Sequence, residues 1–157
     1  IDGFTRALQE FLHIKTLRFR HVAIIGTGGA AHAIANAVYQ LHGNACVFGR
    51  TAEKAQNLAE RYGFRWAVLD LASAHILKKY SDVMIQATCI GMQEGEDPLI
   101  FYSFSGYEKV FDVIYTPEKT ALLKRAEHAG CAVTNGYDML RYQAYKQFEL
   151  FTGGSYE

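Results

Sequence analysis

Val22-Ala23-Ile24-Ile25-Gly26-Thr27-Gly28-Gly29-Ala30-Ala31 is the stretch that decides the fold. Four apolar residues run without a polar break and stop at a glycine. Such a run reads as a strand buried on both faces, the mark of a parallel sheet. Residues 29–42 read as a helix that Gly43 closes. Strand, G-x-G-x-x-A turn and helix together form the alanine variant of a dinucleotide-binding fingerprint. Gly26 permits the tight turn, Gly28 has no Cβ to block a pyrophosphate, and Ala31 is small enough for close helix–strand packing. The free N–H groups and positive dipole end of the helix suit phosphate. The competing reading is a purely structural glycine turn within a strand–helix–strand unit. The strand that follows at the expected distance favours the dinucleotide.

Outward from this turn, strands and helices alternate. The spacing of Phe4, Ala7, Leu8, Phe11 and Leu12 predicts an amphipathic helix, with Asp2 just ahead of it as a cap. Residues 45–49 read as a second buried strand. Thr51 caps a helix that Gly63 ends. Residues 64–70 are a third strand, 72–79 a short helix, 82–88 a fourth strand and 90–109 a loop. Residues 110–115 are a fifth strand, and Pro117 opens a helix that stops at Gly130. Residues 131–135 form a sixth short strand, and a last helix from about Tyr137 ends at Gly153–Gly154. The expected fold class is α/β: a Rossmann-like, doubly wound, mostly parallel six-stranded sheet with helices on both faces.

The end of the second strand addresses which dinucleotide. An NAD site takes an Asp or Glu there for the ribose hydroxyls. Gly49, 23 residues past Gly26, brings no acid; Arg50, Thr51 and Lys54 follow it. A guanidinium can stack on adenine and fork to a phosphate, so this group fits a ribose 2′-phosphate and NADP. The alternative is that Arg50 and Lys54 are ordinary solvated charges, partly neutralised by Glu53.

The 157 residues are enough for one domain with its own core. Sixteen basic residues balance sixteen acidic ones, which gives no global pull toward nucleic acid or an anionic membrane. Residues 22–38 are weakly polar but broken by His32 and Asn36, so no membrane span is expected. Cys46, Cys89 and Cys131 are scattered, without metal-site spacing, as in a reduced cytoplasmic protein. No metal is expected.

Four stretches carry a family resemblance: GTGGAAH, GRTAEKAQNLAE, QATCIGM, and FDVIYTPEKTALLKRAEHAG with NGYDMLRYQAYKQFELFTG. They resemble the glycine turn (G-A-G-G-A), the N-R-T segment, the N-A-T-x-x-G-M segment and the closing motifs of the shikimate dehydrogenase family, including its quinate/shikimate branch. The likeness covers the C-terminal, NADP-binding domain and nearly all of this chain. The resemblance implies NADPH-dependent, reversible reduction of 3-dehydroshikimate to shikimate in aromatic amino acid and chorismate biosynthesis. Asp2 would take part in proton transfer with a lysine. Gln143 would hydrogen-bond the substrate, and Tyr115 would line its side of the cleft. Gly136 and Met139 would lie against the nicotinamide, and Thr88 at the cofactor edge of the fourth strand. Gly26, Gly28, Gly29 and Ala30 would hold the pyrophosphate, and Arg50, Thr51 and Lys54 the 2′-phosphate.

Read alone, Asp2 is a helix cap, Met139 a core residue, Gln143 a surface residue and Tyr115 a rim residue. The family's lysine belongs to an N-terminal substrate domain that would precede Ile1 and is absent from this chain; fused pathway domains are a related possibility. Gly49 replaces a family Asn, and Gln86 replaces the Asn of N-A-T. A buried Gln86 requires hydrogen-bond partners, and Asp112 reads as a structural acid at a strand end. Two alternatives accompany the leading reading: a non-catalytic, nucleotide-sensing regulatory relative, and a quinate/shikimate dehydrogenase of altered specificity.

Overall fold

The computed structural model describes residues 2–153, and the side chains of all of these but 151 and 152. Its elements are α1 (Asp2–Leu12), β1 (His21–Ile25), α2 (Gly29–Gln40), β2 (Asn44–Gly49), α3 (Ala52–Glu60), β3 (Arg65–Val68), α4 (Ala74–Lys79) after a 3₁₀ turn (Leu71–Ser73), β4 (Val83–Gln86), β5 (Lys109–Asp112), α5 (Ala121–His128), β6 (Ala132–Thr134) and α6 (Tyr137–Thr152). Six strands form one sheet in the order β3-β2-β1-β4-β5-β6. Every pairing is parallel. This is the doubly wound Rossmann-like arrangement, whose switch point lies between β1 and β4.

The strands are apolar on both sides because both faces are covered. Successive residues of a strand point to opposite faces. Val22 and Ile24 of β1 join a core with Phe4, Leu8, Ile34, Val38, Leu58 and Phe111. Ala23 and Ile25 join the other core, with Phe48, Leu77, Met84, Leu122 and Leu123. Helix α1 packs on α6 so closely that a Cβ on Gly3 would stand 2.5 Å from the Met139 carbonyl oxygen and from Gln143 Cγ. The Phe4 ring meets Phe111 edge-on at 5.2 Å between centroids.

Several boundaries differ from the sequence expectation. The helix expected from Pro117 begins at Ala121, because the Thr120 side chain accepts from Leu123 N and supplies the cap. Asp2 is within α1 rather than ahead of it. Thr51 occupies the N-cap position of α3, yet its side chain makes no cap bond. Helix α6 ends at Gly153, which is left-handed as a C-cap glycine should be; Gly154 lies outside the described residues.

Candidate functional site

In a parallel sheet the loops after the strands gather at one end, and the helix N-termini point there too. The loops after β1, β2, β4 and β5 here enclose two neighbouring cavities.

The first, of about 340 Å³, is lined by Gly26, Thr27, Gly28, Gly49, Arg50, Thr51, Lys54 and Thr88, among others. Gly26 has φ +123°, which L side chains rarely adopt, and its N–H donates to Phe48 O at 2.8 Å. A Cβ on Gly28 or Gly29 would meet nothing within 4 Å, so the backbone there faces open space. Gly28 is the N-cap of α2 and has no side chain to satisfy the first-turn N–H groups. Opposite stand Arg50 and Lys54, both exposed; among the described residues neither forms an ion pair, with Glu53 or any other carboxylate. Arg50 precedes the α3 cap, so the cavity brings it to Lys54, not a shared helix face. Unpaired donors and unpaired cations around an open glycine backbone are the donor set that a phosphorylated dinucleotide needs.

Gly49 has its own reason to be glycine. A Cβ there would stand 2.6 Å from Thr27 Cγ2. The Thr27 methyl thus fills the space that a side chain at position 49 would need.

The second cavity, about 350 Å³ and more apolar, is lined by Ala30, Ala87, Thr88, Cys89, Met92, Val113, Ile114, Tyr115 and Thr116. Ala87, Thr88 and Cys89 line both cavities and form their common wall. Together the two make one cleft, with the cations at one end and the apolar chamber at the other.

The remaining expected residues form a second group beside the apolar chamber. Gly136 is pressed so tightly against the Val113 carbonyl that a Cβ would overlap it. Gly136 N also donates to Ile114 O at 3.2 Å. Val113 and Ile114 line the chamber, so Gly136 seats the start of α6 directly on its wall. One turn on, Met139 is half-buried against the core and Gln143 is exposed beside Gly3. Asp2, exposed and next to Gly3, thus belongs to the same corner as Gln143. Gly29, Gly136, Met139, Gln143 and Asp2 are not in the cavity walls themselves.

Sequence reasoning did not single out Thr27, Cys89, Met92 or Ile114 as wall residues. Cys89 and Met92 lie inside the QATCIGM stretch, which was their only signal. Beneath the wall, Gln86 and Asp112 are wholly buried, and their side chains are hydrogen-bonded to each other at 3.2 Å. Burial pushes the Asp112 carboxyl up to about 6, against the opposing effect of hydrogen bonds from Ile114 N, Thr120 and Gln86.

Comparison with known proteins follows the same lines. The family model for shikimate / quinate 5-dehydrogenase matches residues 7–92. The chain is 37% identical over 151 residues to a shikimate dehydrogenase (NADP(+)) of Pyrococcus abyssi, covering 96% of this chain and 54% of that protein. It is 36% identical over 140 residues to the bifunctional 3-dehydroquinate dehydratase/shikimate dehydrogenase of Arabidopsis thaliana, covering 87% and 23%. Among solved structures, shikimate 5-dehydrogenase of Thermus thermophilus in complex with NADP(H) and shikimate superposes with a TM-score of 0.80 at 27% identity, over 98% of this chain and 56% of that one. The chain thus spans about half the length of its single-function relatives. Sheet order, glycine turn and family match agree: the chain belongs to the shikimate/quinate 5-dehydrogenase family.

Proposed function

We propose that this chain is the NADP-binding domain of a shikimate dehydrogenase, which reversibly reduces 3-dehydroshikimate to shikimate with NADPH. One observation carries the reading. The glycine turn and the unpaired Arg50 and Lys54 line one chamber, which shares the Thr88–Cys89 wall with a second, apolar chamber under Tyr115. Gly26, Gly28, Gly29 and Ala30 hold the pyrophosphate against the first turn of α2. Arg50, Thr51 and Lys54 hold the 2′-phosphate; the Thr51 hydroxyl makes no cap bond that would compete. NADP held there would supply the hydride donor or acceptor for the reaction.

This chain's own residues shape the other chamber. Thr88 bounds the nicotinamide side, and Gly136, tight against Val113, seats the start of α6, which carries Met139, behind the chamber wall. Tyr115, half-exposed at the rim, faces the substrate, and Gln143 hydrogen-bonds a substrate hydroxyl. Asp2, in the same corner, takes part in proton transfer with a lysine of a companion substrate domain. The chain spans about half the length of such relatives, which leaves room for that domain, and the bifunctional relative is a precedent for further fused domains. No described helix is long and apolar enough to cross a membrane, and the three cysteines are unpaired, in keeping with a cytoplasmic enzyme.

The test is a titration of the chain with NADPH and NADH, followed by nicotinamide fluorescence and repeated on Arg50→Ala. NADPH is expected to bind at least about tenfold tighter than NADH, about 1.4 kcal/mol, and the variant to lose that margin. Binding of neither nucleotide overturns the proposal.

A further inference from the structure

Gln86 and Asp112 are the last residues of β4 and β5 and are register partners across the sheet. Their side chains therefore emerge on the same face, under the two loops that make the lips of the cleft. The Gln86 carboxamide is fully engaged. Its Oε1 accepts from Thr88 N at 2.6 Å and from Thr88 Oγ1 at 2.5 Å. Its Nε2 donates toward Thr88 O at 3.2 Å, Ile90 O at 3.3 Å and Asp112 Oδ1 at 3.2 Å. Thr88 Oγ1 in turn accepts from Ile90 N at 3.1 Å. One side chain thus closes the turn at 88–90.

Asp112 does the same for the other lip. Its Oδ1 also accepts from Ile114 N at 3.1 Å, and its Oδ2 accepts from Thr120 Oγ1 at 2.8 Å. Thr120 caps α5. A single buried chain of hydrogen bonds therefore runs from the start of α5, under the β5 loop, to the wall shared by both chambers. All of its donors find acceptors, which is the condition under which a buried polar network rigidifies its surroundings.

We propose that Gln86 and Asp112 are positioning residues: they touch no cofactor, but set the Thr88–Ile90 lip at the spacing from the Ile114–Tyr115 lip at which the cleft grips a dinucleotide. The inference rests on the cofactor reading above. The reach of the glutamine side chain lets one residue serve both its own loop and Asp112.

The experiment is a double-mutant cycle on NADPH affinity with Gln86→Leu, Thr88→Val and the double variant, at a temperature where circular dichroism shows each protein folded. Gln86→Leu is expected to weaken NADPH about tenfold. Because Gln86 acts through Thr88, adding Thr88→Val in that background should change affinity by less than about twofold. Gln86→Asn, which keeps an amide but shortens the reach, should lie between, at about threefold, and carries the test if the leucine variant does not fold. A merely structural role predicts a lower melting temperature with unchanged affinity in the folded protein; that result, or two additive effects, overturns the inference. If wild type binds no NADPH, the cofactor reading falls and takes the inference with it. Tight wild-type binding with unaffected variants sinks the inference alone.

Discussion

The two ends of this sheet carry cavities of the same size and similar charge, and they are not equivalent. At the C-terminal end, about 340 Å³ is lined by Arg50 and Lys54. At the N-terminal end, about 340 Å³ is lined by His21, Cys46, Arg65, Trp66, Ile76, Lys79 and Tyr80. Both hold two permanent cations. The difference lies in the backbone. Helices α2 and α3 begin at the first cavity, with open glycines and free N–H groups. Helix α4 ends at the second, so carbonyls and the negative dipole end point there. The His21 ring is 3.5 Å from the Asp82 carboxylate, which further disfavours an anion. Cys46 adds no chemistry, since burial pushes its thiol up to about 12. Volume and side-chain charge do not tell the two cavities apart; the direction of the helices does.

Strand β5 repeats the contrast with buried carboxylates. Glu108 stands just before the strand and Asp112 ends it, and their protonation equilibria move in opposite directions. Burial raises both. At Glu108 that is outweighed by hydrogen bonds from the Tyr102 hydroxyl at 2.7 Å and from Ser105 N and Gly106 N at 3.0 and 2.8 Å; its carboxyl is lowered to about 2. At Asp112 burial outweighs the hydrogen bonds from Ile114 N, Thr120 and Gln86, and the carboxyl is raised to about 6.

The largest expected effect breaks the N-terminal end. Glu108→Leu leaves Ser105 N, Gly106 N and Tyr102 without their acceptor and should cost about 3 kcal/mol or more in urea unfolding. Wild-type Glu108, lowered from 4.5 to about 2, contributes stability that is present above pH 4.5 and lost as pH falls toward 2.

Asp112 has the opposite sign. Its folded value lies above 3.8, so its contribution is full below about pH 4 and is lost as pH rises through 6. The span is on the order of 2–3 kcal/mol. Melting curves of Asp112→Asn should lack this fall between pH 4 and 6; an unchanged pH profile would assign the slope to other groups.

A smaller effect sharpens the account of the glycine turn. Gly49→Asn should destabilise by about 1–3 kcal/mol through overlap with Thr27 Cγ2. Thr27→Ala in the same chain should restore most of the melting temperature, and additive losses would deny the compensation. The smallest effect is an expected near-absence: Arg65→Ala should change NADPH affinity by less than about twofold, against the tenfold loss of Arg50→Ala.

Much of this was legible in the sequence because its signals are local. Buried parallel strands are continuous apolar runs, and the glycine turn, Arg50 and Lys54 sit close enough in the chain for motif spacing to place them. Pro117 misled because proline suits a first helical turn, whereas the hydroxyl of Thr120 made the cap three residues later. The need of Gln86 for partners was legible from its place in a buried strand; Asp112 as that partner was not, because it is 26 residues away and the pairing depends on strand register. The cleft has the same character. Thr88 was expected at the cofactor edge, but only folding shows that Cys89 beside it walls both chambers.

Hydrogen exchange of the chain with and without NADPH tests the central claim most directly. Slowed exchange is predicted in residues 26–31, 49–54 and 87–91, with no change around 21, 46, 65 and 80. Protection at the N-terminal end of the sheet, or none at the glycine turn, would contradict the account.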